Sequence, residues 1–406
     1  MPERNSSILF VSNGHGEDLI AARIIKSLIE QEPSLRLQAL PIVGRGAAYR
    51  EMGIPLSLEG KTMPSGGFIR NGPANLWMDL KAGLWGLTGS QIKALRSVRE
   101  RVDLAVCVGD VVLLILAGCF LRRPILFLPT AKSDYVAPHW AVERFLMKRF
   151  CRKILTRDAK TAASLSRYGL PAEFLGNVMM DALDYQGQDL KGSPGEWVIA
   201  VLPGSRLEAY DNLEDIARVA LAFQPLVPAE KKVRYLVALS GGLALTELAN
   251  RLEVMGWRGV NPEPEERLRG VVGHLEYKQP PIRMTVLQGR FADILAACDG
   301  VLGMAGTANE QAVGLGKPVV TFVGRGPQFT AKFLRTQKRL LGDSISVTDR
   351  EPSASALELA RILNDPARRE AMARIGRERM GPTGGAARIA AAIRSQTRDI
   401  ILETAK

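Results

Sequence analysis

The chain has 406 residues, more than one hydrophobic core usually serves, so two domains of ordinary size are expected. Hydrophobic residues make up 46% and charged residues 24%, which excludes a mainly disordered chain, and the 39 glycines and 23 prolines follow no three-residue period, which excludes collagen. Lys+Arg 54 against Asp+Glu 42 leave a net charge of +12, which favours an anionic partner: nucleic acid, an acidic membrane surface or a phosphorylated substrate.

The N-terminus carries only a short apolar run, Ile8 to Val11, too short for a signal-peptide core. Ile8–Ser12 reads as a first strand. It leads through Asn13-Gly14-His15-Gly16 into a helix from about Glu17 to Gln31, in which Ile20, Ile24 and Leu28 share one face. Leu37–Val43, Leu104–Val108 and Ile125–Leu128 are further strands, with short ones at Ile154–Thr156 and Ala172–Phe174. The most apolar stretch, Leu104 to Leu121, is broken by Gly109, Asp110 and Gly118. It reads as strand, turn and buried helix, not as a membrane span. A polar Gly- and Pro-bearing stretch, 186–196, is the expected linker.

A second series follows, with strands at Trp197–Leu202, Val233–Leu239, Met284–Leu287, Gly300–Leu302 and Val319–Val323. Gly256–Tyr277 reads as a polar, irregular excursion, and the chain from Pro352 onward as wholly helical. Val-Gly-Arg-Gly occurs at 43–46 and again at 323–326, a weak echo. Strands alternating with helices argue for an α/β protein with parallel sheets covered on both faces. The expected divisions are an N-terminal domain 1–185, the linker, a C-terminal domain 197–380, and a terminal segment 381–406 whose helix packs back on the first domain. Two such domains would face a central cleft, the usual ligand site of open α/β sheets.

Four scattered cysteines (Cys107, Cys119, Cys151, Cys298) with no C-x-x-C read as reduced, buried thiols of a cytosolic protein. With only three histidines (His15, His139, His274), a His-built metal centre is not expected.

The phosphate-binding signals lie in the second half. Leu202-Pro203-Gly204-Ser205-Arg206 leaves a strand, with a glycine for close backbone approach, a hydroxyl, and a planar cation suited to phosphate oxygens. Gly303-Met304-Ala305-Gly306-Thr307-Ala308 follows another strand and opens a helix, whose free N–H groups and dipole favour an anion. Glu310 and Gln311 sit one turn in, where a side chain can reach ribose hydroxyls or, for Glu310, simply complement the dipole. There is no G-x-x-x-x-G-K-[ST] and no G-x-S-x-G, and Gly14-x-Gly16 lacks the third glycine of a dinucleotide fingerprint.

These residues resemble the GT-B glycosyltransferases, specifically lipid-A-disaccharide synthase and, more distantly, the peptidoglycan GlcNAc transferase MurG. Leu202 to Arg206 looks like the synthase's LPGSR segment, and Ala305-Gly306-Thr307-Ala308 through Lys317-Pro318 is similar to its SGTA…KP helix. Phe329-Thr330 matches a Pro-Phe-Thr element, Gly16-Glu17-Asp18 sits where the synthase has SGD, and Val108-Gly109-Asp110 sits at its acid-bearing strand end. Phe174 through Asp181 resembles FIGHTMAD, with Asn177 replacing the family's His. Counted back from Pro318, the ribose-binding Glu falls on Gln311, and Val111-Val112 stand where a second acid would follow Asp110.

The resemblance implies two Rossmann-like domains, a UDP-sugar donor such as UDP-GlcNAc or an acylated relative, and a lipid or lipid-linked acceptor. No cofactor and no metal are implied. Gly204, Ser205, Arg206, Gly306, Thr307 and Ala308 would cradle the diphosphate, with Leu287 to Arg290 at the uracil edge and Phe329-Thr330 nearby. Asp110, Asp18 and His15 are the candidate bases, beside the turn glycines Gly14 and Gly16. Phe68 to Leu87 is a candidate acceptor flap, and the cation–apolar alternation from Arg144 to Lys153 is a candidate seat on anionic headgroups, which would place the protein in the cytoplasm, peripheral on a membrane. Two other functions remain open: a UDP-GlcNAc 2-epimerase-like enzyme, and a non-catalytic basic protein binding membrane or nucleic acid. No nucleic-acid module is recognisable, so no nucleic-acid partner is expected, and oligomeric state is not legible.

Overall fold

The apolar runs of the first half become strands buried on both sides. A computed structural model describes residues 6–58, 84–326 and 329–404. The candidate flap therefore lies outside the described residues from 68 to 83, and position 84 opens the helix Leu84–Val98. In the first sheet, β1 (Ser7–Ser12), β2 (Arg36–Pro41), β3 (Leu104–Gly109), β4 (Ile125–Pro129), β5 (Cys151–Leu155) and β6 (Ala172–Glu173) lie in the order β2-β1-β3-β4-β5-β6. All five pairings are parallel. Every residue of β1 and β3 is buried because apolar helices cover both faces. Ile8, Phe10 and Val106 share one core with Ile24 and Leu28 of the helix His15–Gln31 and with Ile389 and Ile393 of the helix Gly385–Thr404. Leu9, Val11 and Cys107 share the opposite core with Leu113 and Met147.

The second sheet runs β14-β13-β12-β7-β8-β11-β10-β9. Its strands are β7 (Glu196–Leu202), β8 (Lys232–Leu239), β9 (Trp257–Val260), β10 (Val271–Tyr277), β11 (Ile282–Gln288), β12 (Gly300–Gly303), β13 (Val319–Phe322) and β14 (Ile345–Thr348). From β14 to β11 the pairings are parallel, whereas β10 is antiparallel to both β11 and β9.

Three expectations need correction. Gly256–Tyr277 is not an irregular excursion: it supplies β9, the helix Pro264–Leu268 and β10. Trp257, Leu275 and Tyr277 join the core on one side, while Arg258 and Glu276 alternate onto the other, and this one-sided pattern reads as polar in sequence. Cys119 is exposed and Cys151 half-buried, because Cys119 lies on the outer side of the turn Ala117–Leu121. Only Cys107 and Cys298 are buried among the four free thiols, and burial pushes both up to about 12. The echo of Val-Gly-Arg-Gly is not structural, since Gly44 and Gly46 have positive φ (99° and 62°) and Gly324 and Gly326 do not.

Contacts divide the chain into one unit of Met1–Ala182 with Thr383–Lys406 and a second of Leu183–Pro382. The stretch 186–191 is fastened to the second unit: the Gln186 N–H donates to both Asp293 carboxylate oxygens, and Arg234 donates to the carbonyls of Leu190 and Lys191. In the first unit, the Asp181 carboxylate accepts from the N–H groups of Gly384 and Ala386, satisfying orphan donors at the start of the helix Gly385–Thr404. No helix among the described residues is long and apolar enough to cross a membrane.

Candidate active site

Two sets of turns carry the residues singled out in the sequence, one in each unit. In the first unit β1 and β3 are neighbours, with Ser12 opposite Val108. The Asn13 side-chain oxygen accepts from the Asp110 N–H at 2.9 Å. Gly109, at φ +146°, makes room for that bond, since a Cβ there would stand 1.9 Å from Asn13 Oδ1. Asp110 is half-buried and its Oδ1 accepts from the Val112 N–H at 2.8 Å, capping the helix Val111–Leu116. His15 and Gly16 are exposed at the start of their helix, next to the buried Gly14.

Asp18 lies deeper than a first-turn acid usually does. It is 2% exposed, and its Oδ1 accepts from the Ser12 hydroxyl at 2.6 Å, which in turn meets the buried Tyr49 hydroxyl at 2.6 Å. Burial lifts its carboxyl to about 6, and the Ser12 hydrogen bond only partly offsets this. Asn177 is buried too, and its side chain accepts from the Met179 N–H, capping the turn Val178–Ala182.

In the second unit β13, β12 and β7 are adjacent, and Gly303 pairs with Leu202. The turns after these strands, 203–206, 304–306 and 323–326, therefore emerge side by side from one edge of one sheet. The Met304 N–H donates to Leu202 O at 2.8 Å, and a Cβ on Gly204 (φ +110°) would approach Met304 O to 3.3 Å. Ser205, Arg206 and Thr307 are all exposed. Gly306 and Ala308 flank Thr307 at the N-terminus of the helix Thr307–Gly314, where Glu310 is half-buried and Gln311 buried. Thr330 caps the helix Ala331–Leu341 through the Phe333 N–H, and Phe329 packs on Phe333 with ring centroids 5.2 Å apart. Leu287 and Arg290 fall farther along the sheet: Leu287 is buried at the end of β11, and Arg290 donates to the carbonyls of Arg269 and Gly289.

The side chains that hold these three turns together were not singled out from sequence. Asn212 donates to Pro203 O at 2.9 Å, and its oxygen would meet a Cβ on Gly324 at 3.1 Å. Gln337 donates to the carbonyls of Ala305 and Gly306. Asp215, one turn from Asn212, gathers Arg325 at 2.6 Å, Arg218 at 2.9 Å and Arg350 at 3.2 Å, tying the 323–326 loop to the helix Glu208–Phe223. The available signal was Asn212 and Asp215 sitting among Leu213 and Ile216 on the apolar face of that helix.

The helix Ala141–Phe150 exposes Val142 and Phe145, and Trp140 stands exposed just before it. Lys132 sits 3.9 Å over the Trp140 ring and Arg144 4.0 Å over Tyr168.

No family model matches the chain. Among curated proteins, it is 28% identical over 247 residues to the lipid-A-disaccharide synthase of Thiobacillus denitrificans, covering 55% of this chain and 58% of that one. It is 27% identical over 196 residues to that of Azotobacter vinelandii, covering 46% and 45%. The match thus spans about half the length of these curated relatives. Among solved structures, MurG of Acinetobacter baumannii superposes with a TM-score of 0.58 at 15% identity, covering 96% of this chain and 99% of that one. The UDP-GlcNAc 2-epimerase of Neisseria meningitidis, bound to UDP-GlcNAc, superposes with a TM-score of 0.56 at 13% identity, covering 98% and 100%. The calicheamicin glycosyltransferase reaches 0.59 at 18%, covering 97% and 98%. The chain is a distant homologue of lipid-A-disaccharide synthases over about half its length, built on a GT-B-type fold of two parallel-sheet, Rossmann-like units.

Proposed function

We propose that the chain is an inverting glycosyltransferase that moves a hexosamine-type sugar from a UDP-sugar to a hydroxyl of a lipid or lipid-linked acceptor. The observation that carries this reading is the alignment of three short turns at the carboxyl ends of β7, β12 and β13, with exposed Ser205, Arg206 and Thr307 on two of them. N–H groups at the start of the helix Thr307–Gly314 and around Gly204 suit a pyrophosphate, and Arg206 adds a planar cation. Asn212 on Pro203 O and Gln337 on the Ala305 and Gly306 carbonyls hold the two turns that present these N–H groups, and Asp215 holds the neighbouring 323–326 loop, so the N–H donors can stabilise charge as it builds on the departing UDP.

In the transfer step the acceptor oxygen forms its bond to C1 as the C1–O bond to the diphosphate breaks. The electron pair stays on the diphosphate, and the acceptor proton passes to a base within about 3 Å. Asp110 is the base in this reading, since Asp18 is buried beneath Ser12 and Tyr49, and exposed His15 stands on the neighbouring turn. The exposed Trp140, Val142 and Phe145, with exposed Lys148 and Arg149 on the same helix, suit an anionic membrane surface that presents a lipid acceptor and holds the protein peripherally in the cytoplasm.

Incubation with radiolabelled UDP-sugars and a membrane lipid extract tests the reading. New labelled lipid is expected. Isomerised nucleotide sugar without transfer would make the chain an epimerase, and salt-sensitive nucleic-acid binding without turnover would make it non-catalytic.

A further inference from the structure

A cavity of about 400 Å³ lies on the second sheet, on the face opposite its main apolar core. The register explains its lining. His274 of β10 pairs with Thr285 of β11, which pairs with Leu236 of β8, so these side chains share one face while Leu275, Met284 and Tyr235 enter the core on the other. The segment 188–190 and the turn after the helix Pro264–Leu268 wall it in. It runs from Glu196, the first residue of β7, to Leu287 of β11, which pairs with Ala238 of β8 and lies two strands away from β7.

The acids lining this cavity are already engaged. Asp189 accepts from the Lys191 N–H, Glu196 from the Ser193 N–H, and Glu266 from the Glu263 N–H at 3.0 Å and His274 Nε2 at 2.9 Å. The His274 hydrogen bond, chief among several causes, holds the Glu266 carboxyl below the usual carboxylate range, so Glu266 is an acceptor and Nε2 carries the proton. The His274 ring is 1% exposed, and its Nδ1 has no hydrogen-bond partner. Arg234 is already committed, with Nε 3.5 Å from Glu196 Oε2 and the guanidinium anchored on Leu190 O and Lys191 O. Arg269 makes no ion pair among the described residues, and Arg283 has only long ones, 3.5 Å to Glu276 and 3.9 Å to Glu266. The Arg269 and Arg283 cations, the unpartnered His274 Nδ1 and the apolar walls of Leu236, Val271 and Leu287 meet in one space.

We propose that this cavity is a second ligand site, for a hexose monophosphate: the phosphate on Arg269 and Arg283, a sugar hydroxyl hydrogen-bonded to the unpartnered His274 Nδ1, and the ring face on the apolar wall. The volume lies within the range of small-molecule pockets. The cavity shares no lining residue with the turns 203–206, 304–306 and 323–326, so the proposal stands whether or not the chain transfers sugars.

Calorimetry with glucose 1-phosphate and N-acetylglucosamine 1-phosphate, with inorganic phosphate and glucuronate as further arms, tests it. Saturable binding of a sugar phosphate is expected, weakened roughly tenfold or more by Arg269→Ala and unchanged by Arg206→Ala. Arg269 lies on the surface, so its truncation leaves the fold intact. Hydrogen exchange is expected to slow at 188–191 and 264–274 in the ligand's presence. No saturable binding below roughly 1 mM, binding indifferent to Arg269→Ala, or binding lost in Arg206→Ala would each overturn the proposal. Binding of phosphate or glucuronate as tight as that of the sugar phosphates would overturn the assigned ligand class.

Discussion

Asp18→Asn is expected to stabilise the protein at neutral pH and above. In the folded chain, burial raises the Asp18 carboxyl from 3.8 to about 6. Between those two values the folded state binds more protons than the unfolded state, so stability falls as pH rises through that window, and the full penalty applies above it. Two units correspond to about 3 kcal/mol, an upper bound because part of the site relaxes around the charge. Asparagine never ionises, and its side-chain oxygen still accepts the Ser12 hydroxyl that now lies 2.6 Å from Asp18. Urea unfolding of both proteins from about pH 4 to about pH 8 measures the difference. The variant should gain up to about 3 kcal/mol on the wild type at the upper end, and the two curves should converge at the lower. A variant less stable than wild type by the same margin at every pH would refute a buried, costly carboxylate.

Three further outcomes follow from the site. Asp110→Asn should leave UDP affinity unchanged and remove transfer, and full transfer in that variant would move the base elsewhere. Asp215→Ala removes the anchor of three guanidiniums that are themselves 35–47% exposed and can turn to water, so a modest destabilisation of about 1–2 kcal/mol is expected. UDP affinity should fall with it as the Arg325 loop loosens, and unchanged affinity would detach that loop from the nucleotide. Trp140→Ser with Phe145→Ser should weaken sedimentation with anionic vesicles roughly tenfold, and equal partitioning would remove the membrane role from this helix.

The parts of the fold legible in sequence are those whose strands are buried on both faces. β1, β3 and the body of β7 read as continuous apolar runs because helices cover them from either side. β9 and β10 escape that reading because one side of each carries groups such as Arg258, His274 and Glu276. The turns at Gly204 and Gly306 were legible because small residues directly after a strand have a local meaning. Asn212, Gln337 and Asp215 have none. Asp215 meets Arg350 across 135 residues, and Gln337 meets Gly306 across 31, so only the folded sheet brings them together. Asp18 was legible as a first-turn acid, but its depth depends on Tyr49, 31 positions further along the sequence.

Titration of UDP into the wild-type chain and into Arg206→Ala, with hydrogen exchange followed in both, tests the nucleotide-site assignment most directly. The wild type should bind saturably with protection confined to 203–206, 304–309 and 323–326, and Arg206→Ala should bind roughly tenfold or more weakly. Equal affinity in the two proteins, or protection lying outside those turns, would contradict it.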